Sequence, residues 1–90
     1  MARENLADAA ESLRNAADAA SDDEARDRLE NQAAEFDKHA EADRGPDHGK
    51  LARHEHILTE IADDEGGETA DRIETALESI RSFRSTVEGV

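Results

Sequence analysis

Four histidines are the residues of this sequence best suited to metal or acid–base chemistry, and three of them lie close together. The stretch at 43–57, DRGPDHGKLARHEHI, holds these three histidines and the only proline of the chain. Neutral imidazole binds transition metals and exchanges protons near neutral pH, and acidic residues flank the stretch. The stretch is therefore either a metal or catalytic site, or only the turn between two helices.

The spacing of the histidines does not match a helical metal motif. Two ligands on one helix face lie three or four residues apart, as in H-E-x-x-H, whereas His54 lies two residues from His56 and six from His48. The E-x-x-H motif of di-iron bundles does not occur, since Glu35 precedes His39 by four residues. We therefore predict no metal-binding, cofactor-binding or catalytic residues, and no cofactor.

A site assembled by the fold is the alternative to this prediction. His39 lies near the end of the second predicted helix, from where it can approach His48 across the turn. The alternative function is therefore a small metal-binding or enzymatic helical bundle that uses these two histidines together with His54 and nearby acids, with Asp43 and Asp47 at the same turn. Without such a site, we expect His54 to pack against Phe36 or to bond with Asp37, and the other histidines to be partly exposed.

Other catalytic chemistries lack their sequence signatures. No serine lies in a G-x-S-x-G turn, and there is no G-x-x-x-x-G-K-[ST] phosphate loop. The absence of cysteine excludes thiolate catalysis, disulfides and zinc–thiolate sites. We therefore expect a protein that is not an enzyme.

Hydrophobic spacing predicts four amphipathic helices. Apolar residues recur at alternating intervals of three and four, which is the heptad pattern of packed helices. The predicted helices span about 2–20, 22–43, 47–64 and 68–88. The large side chains predicted for the core are Leu6, Leu13, Leu29, Phe36, Leu51, Ile57, Leu58, Ile61, Ile73, Leu77, Ile80, Phe83, Val87 and Val90.

Capping and turn residues separate these helices. In SDDE at 21–24 we expect a capping box, in which the side chains of Ser21 and Glu24 bond each other's amides. In the next link we expect Gly45 at the helix C′ position and Asp47 as the cap of the third helix. Links this short place successive helices antiparallel.

The sequence thus predicts one all-α domain over residues 1–90, an antiparallel up-down-up-down four-helix bundle. The alternative topology is a pair of helical hairpins that open and dimerise.

The chain is strongly acidic, with 24 Asp and Glu against 11 Lys and Arg and a net charge of −13. In molar salt the Debye length falls to about 3 Å and screens such self-repulsion, so acid excess with scarce lysine predicts a halophilic cytoplasm. The same acidity argues against nucleic-acid binding. No apolar run approaches the roughly 18–20 residues of a membrane span, and no signal-peptide segment is evident, so we expect a cytoplasmic protein without membrane association.

Binding to another protein is the function that the sequence excludes least. The helices are amphipathic, and Ile57 and Phe83 can form an apolar patch for a protein partner or a homodimer. We therefore predict a non-enzymatic protein-interaction or accessory module. A transcription-associated regulator is the second alternative.

Two segments resemble a known group of proteins. EADRGPDHGKLARHE at 41–55 and IRSFRSTVEGV at 80–90 are similar to a family of short acidic haloarchaeal proteins of unknown function. The resemblance extends over nearly the full length and implies a small cytoplasmic helical protein of a salt-loaded cell. It implies no activity, so no catalytic residue is carried over.

Overall fold

The computed structural model describes residues 3–87, which form four α-helices. These are α1 (Arg3–Ala19), α2 (Asp23–Glu41), α3 (His48–Glu65) and α4 (Gly67–Arg84). The predicted helical class is confirmed, and residues 3–87 contain no β-strand. The prediction that the fourth helix extends to about 88 is wrong, because α4 ends at Arg84 with Ser85 as its C-cap. Two parts of the prediction lie outside the described residues, namely the start of the first helix at position 2 and the core position Val90.

The four helices form an antiparallel bundle in which α1 packs closely against both α2 and α4. The face of α1 that makes these contacts is rich in alanine, and Ala9, Ala10 and Ala16 are fully buried. Small side chains let helix axes approach closely. Helix α3 packs against α4, and among the neighbouring pairs of helices α2 and α3 approach each other least closely. The seam between α2 and α3 is therefore the place in the bundle with room for larger polar groups.

The large apolar side chains form one core shared by all four helices. Those that are fully buried are Phe36, Leu6, Leu13, Leu29, Leu51, Leu58, Ile61, Ile73, Leu77 and Ile80. Burying each contributes about 1.5–3 kcal/mol relative to exposure, so this core accounts for most of the drive to fold. Ile57 and Val87 are partly buried against it.

Phe83 belongs to this core, with only 7% of the residue exposed. It is therefore unavailable for the predicted apolar patch. A Cβ atom placed on Gly45 would lie 3.1 Å from Cζ of Phe83, so Gly45 permits the ring to pack against the link between α2 and α3. The prediction of Gly45 at a C′ position is wrong, because α2 already ends at Glu41 and Gly45 has no positive φ.

The start of α2 differs from the prediction by one residue. Asp22 has extended backbone angles and its Oδ2 accepts a hydrogen bond from the amide of Ala25 at 3.1 Å, so Asp22 is the N-cap. The predicted capping box of Ser21 and Glu24 is therefore wrong. Ser21 instead donates its amide to Oε1 of Glu65 at 3.0 Å, which ties the first link to the end of α3.

The start of α3 follows the sequence prediction. Asp47 caps its start, since Oδ1 accepts from the amide of Lys50 at 2.8 Å. At its other end, Gly66 has φ 64° and serves both as the C-cap of α3 and as the N-cap of α4. Only glycine adopts such a conformation without steric cost, so a single residue links the two helices.

Candidate metal centre

One face of α2 presents four side chains to the seam with α3. These residues, Gln32, Glu35, Phe36 and His39, follow one another at intervals of three, one and three. Residues three or four apart are neighbours on a helix surface, so the four form a continuous stripe. Phe36 is fully buried, whereas Gln32 and His39 are half-buried and Glu35 is exposed. The stripe therefore runs from the core to the solvent.

His54 of α3 lies opposite this stripe and is only 7% exposed. Its ring centroid is 4.6 Å from that of Phe36, and the His39 centroid is 5.6 Å from Phe36 in an edge-on arrangement. The predicted packing of His54 against Phe36 is thus confirmed. The predicted bond to Asp37 is wrong, because Asp37 pairs with Arg14 of α1 instead.

The two imidazoles meet through their Nε2 atoms at 3.2 Å. One ligand atom from each of Glu35, His39 and His54 lies within 4.8 Å of the other two. Two nitrogens bound to one tetrahedral Zn²⁺ at about 2.0–2.1 Å are separated by about 3.3 Å. The histidine pair therefore already has the spacing of a metal-bound pair. The carboxylate of the exposed Glu35, within 4.8 Å of both, is the third donor that could join them.

Gln32 fixes the orientation of the His54 ring. Its Oε1 atom lies 2.6 Å from Nδ1 of His54, and because an amide oxygen only accepts, His54 Nδ1 donates. In the neutral ring, Nε2 of His54 then carries a lone pair that faces His39. His39 donates its Nε2 hydrogen to this lone pair in the metal-free protein, and a shift of that hydrogen to Nδ1 frees both Nε2 atoms for a metal ion.

The surroundings of both histidines favour the neutral form of the imidazole. Burial is the main cause that lowers the pKa of His39 below the ordinary value of 6.5, and the charge of Lys50 lowers it further against the opposite effect of Glu35. Burial likewise lowers the pKa of His54, followed by the effect of the neighbouring His39. A metal ion binds only neutral imidazole, so these environments favour metal binding at neutral pH.

The site opens onto a groove of about 280 Å³ between α2 and α3. Glu35 and His54 line this groove together with Gln32, Lys50, Arg53 and Ile57. Two histidines and one carboxylate form a ligand set found in zinc sites that keep one coordination position open. An ion held by Glu35 and His54 would border this groove.

The remaining histidines do not join the cluster. His48 lies at the start of α3, where its Nδ1 atom accepts from Nε of Arg84 at 3.2 Å, on the side that faces α4. Its Nε2 atom is buried without a hydrogen-bond partner in the described chain. His56 is exposed. Of the three histidines in the alternative prediction, the structure brings His39 and His54 together and leaves His48 apart; metal binding by the pair stays a prediction.

The sequence prediction overlooked two members of the site. Glu35 was considered only for the E-x-x-H motif, and Gln32 was not considered at all. The signal that identifies them is their spacing, since Glu35 and His39 are four residues apart and Gln32 is four residues before Phe36. This places all of them on the face that carries the aromatic residue of the seam.

Comparison with known proteins identifies the family of this chain but no activity. The profile of a family described as "Family of unknown function (DUF7553)" matches residues 1–86, so the chain belongs to this family. Searches of the curated proteins and of the solved structures found no significant match. None of the helices within residues 3–87 is long and apolar enough to cross a membrane.

Proposed function

We propose that this member of a family of unknown function is a non-enzymatic accessory protein that holds a divalent transition-metal ion between α2 and α3. The observation that carries the proposal is the convergence of Glu35, His39 and His54, with the two Nε2 atoms 3.2 Å apart. Zn²⁺ is the ion that suits two imidazoles and a carboxylate best, and Ni²⁺ and Fe²⁺ also accept these donors.

The position of the site couples the ion to the fold. Glu35 and His39 belong to α2 and His54 belongs to α3, the two neighbouring helices that approach each other least closely. An ion held by all three residues links the helices across this seam. A ligand that binds only the native state stabilises a protein by about 2.7 kcal/mol when its free concentration is 100 times its dissociation constant. The ion would therefore stabilise this side of the bundle.

The groove next to the site has a volume at the small end of the range of ligand sites. Small-molecule sites usually enclose about 300–1,000 Å³, and the groove next to the site offers about 280 Å³. The net charge of −13 supports the further proposal that the protein works in a halophilic cytoplasm, where salt screens its self-repulsion. A module that carries an ion and presents its helical surface to other proteins is consistent with both features.

Calorimetric titration of the purified protein with Zn²⁺, Ni²⁺ and Fe²⁺ tests the metal site. We expect one saturable site for the unsubstituted chain and at least tenfold weaker binding in His39→Gln and in Glu35→Gln, because each loses one ligand. His56→Gln is the matched control, since it removes an exposed histidine outside the cluster.

Circular dichroism of each variant establishes that the helices are retained before titration. Absence of saturable heat in the unsubstituted protein would overturn the proposal. Equal affinity in His39→Gln and His56→Gln would do so as well, because the ion would then bind elsewhere on the acidic surface.

A further inference from the structure

The groove beside the proposed metal site carries two cationic side chains that have no acidic partner among residues 3–87. Lys50 and Arg53 are exposed on α3 and line the groove together with Glu35 and His54. Neither forms an ion pair with another residue of the described range 3–87. By contrast, six arginines form ion pairs with acidic residues of this range, namely Arg14, Arg26, Arg28, Arg72, Arg81 and Arg84.

These two cations lie beside the residues that would bind the ion. Lys50 is four residues before His54 on α3, so the two are neighbours on the helix surface, and Arg53 directly precedes His54. Glu35 and His54 line the same groove as the two cations. The positive side chains therefore border the space next to the proposed metal ligands.

The coordination chemistry leaves a place for an additional ligand. Three protein donors occupy three positions of a tetrahedral ion and leave the fourth open. Because Glu35 and His54 line the groove, an ion held by them would border the space that Lys50 and Arg53 also line. With a divalent ion in place, one carboxylate and two cationic side chains surround this space, so positive charge is in excess at this point of an otherwise acidic protein.

We propose that the metal-loaded site takes a small oxyanion, a phosphate or a carboxylate, as its fourth ligand, with Lys50 and Arg53 holding the oxygen atoms that do not bind the metal. Arginine offers a planar pair of donors that suits both anions, and lysine adds a point charge. The small volume of the groove, about 280 Å³, fits an anion of this size. This inference rests on the proposed metal function.

The test uses cobalt, which replaces zinc and reports its coordination through visible absorption. The full-length protein is loaded with one equivalent of Co²⁺ at constant KCl and titrated with inorganic phosphate in one series and with acetate in another. We expect a saturable change of the cobalt spectrum in at least one series. The series that saturates at the lower concentration identifies the preferred anion.

The double variant Lys50→Gln/Arg53→Gln distinguishes a built site from simple coordination by the metal. Loaded with the same amount of cobalt, it should bind the anion about tenfold more weakly, the effect expected when charge-assisted hydrogen bonds are lost. The matched control is Lys38→Gln/Arg44→Gln, which removes one lysine and one arginine that are exposed and do not line the groove. We expect this control to bind the anion as the unsubstituted protein does.

The outcomes separate this inference from the metal proposal. If Co²⁺ does not bind, the metal proposal and this inference both fall. If Co²⁺ binds but neither anion changes its spectrum, only the inference is overturned. It is also overturned if both double variants bind the anion equally well, because Lys50 and Arg53 then contribute nothing specific.

Discussion

Replacement of Gln32 by leucine removes the group that orients His54, and its consequences can be worked out from the structure. Oε1 of Gln32 lies 2.6 Å from Nδ1 of a histidine that is only 7% exposed. A buried donor left without an acceptor costs about 1–3 kcal/mol, so we expect the metal-free protein to lose roughly that much stability. Loss of a partner that orients a metal ligand weakens metal binding by about 10–100-fold, which corresponds to about 1.4–2.8 kcal/mol.

Two measurements are needed because the two effects have different origins. Urea unfolding followed by circular dichroism gives the stability of the metal-free variant, and zinc calorimetry gives the affinity at the same pH and salt. Asn31→Leu is the matched control, since Asn31 precedes Gln32 on α2 but is exposed and does not line the groove. Gln32→Glu provides the second comparison, because a carboxylate still accepts the Nδ1 hydrogen and increases the basicity of the ligand.

We expect Gln32→Glu to bind zinc at least as tightly as the unsubstituted protein does. Gln32→Leu should bind zinc more weakly than either of them. If Gln32→Leu loses stability but binds zinc as tightly as Asn31→Leu, Gln32 has only a structural role. If Gln32→Leu and Asn31→Leu are equally stable and bind zinc equally, the hydrogen bond to His54 does not contribute in solution and the reasoning is refuted.

Three further predictions follow from the fold. Burial lowers the pKa of His39 and His54 below 6.5, so as the pH falls the unfolded chain takes up protons before the folded protein does. In high salt the metal-free protein should therefore keep its full stability above about pH 6.5 and lose stability below it. An unfolding midpoint that stays constant as the pH falls would contradict this prediction. Gly45→Ala places a methyl group 3.1 Å from Phe83 and should lower the free energy of unfolding by about 1 kcal/mol, whereas Gly49→Ala, with its nearest contact at 3.6 Å, is the control. With a net charge of −13, the melting temperature should rise as KCl is added, and a melting temperature independent of KCl would refute the role assigned to screening.

The four helices could be predicted from the sequence because each one buries a single apolar face. The heptad spacing of residues such as Leu6, Leu13 and Leu29 places them in the core, and all three are fully buried. Asp47 was identified as a cap from its position after the only proline, and its bond to the amide of Lys50 confirms this. Such features depend on neighbours in the sequence, which is why the pattern predicts them.

Features that depend on contacts between distant residues were predicted less well. Ser21 was expected to cap α2, but Glu65, which comes from the far end of α3, accepts its amide hydrogen and Asp22 takes the cap. Gly45 was explained by local backbone conformation, although its small size matters because Phe83 of α4 packs against it. Neither Glu65 nor Phe83 can be related to these links until the bundle is assembled.

The histidine cluster shows the same limit. His48 and His54 are six residues apart on α3, and a helix turns about 100° per residue, so the two rings point in directions about 120° apart. Only one of them can face α2 at the level of His39, and the structure gives this position to His54 while His48 contacts Arg84. Spacing alone excludes a pair on α3, but it does not determine which histidine joins His39.

The most direct test of the metal site is a crystal structure of the zinc-loaded protein with anomalous diffraction collected on both sides of the zinc absorption edge. We expect one strong anomalous peak between Nε2 of His39 and Nε2 of His54, with a carboxylate oxygen of Glu35 in the same coordination shell. Anomalous peaks found only at acidic surface positions, with His39 and His54 still bonded to each other, would contradict the proposed metal centre.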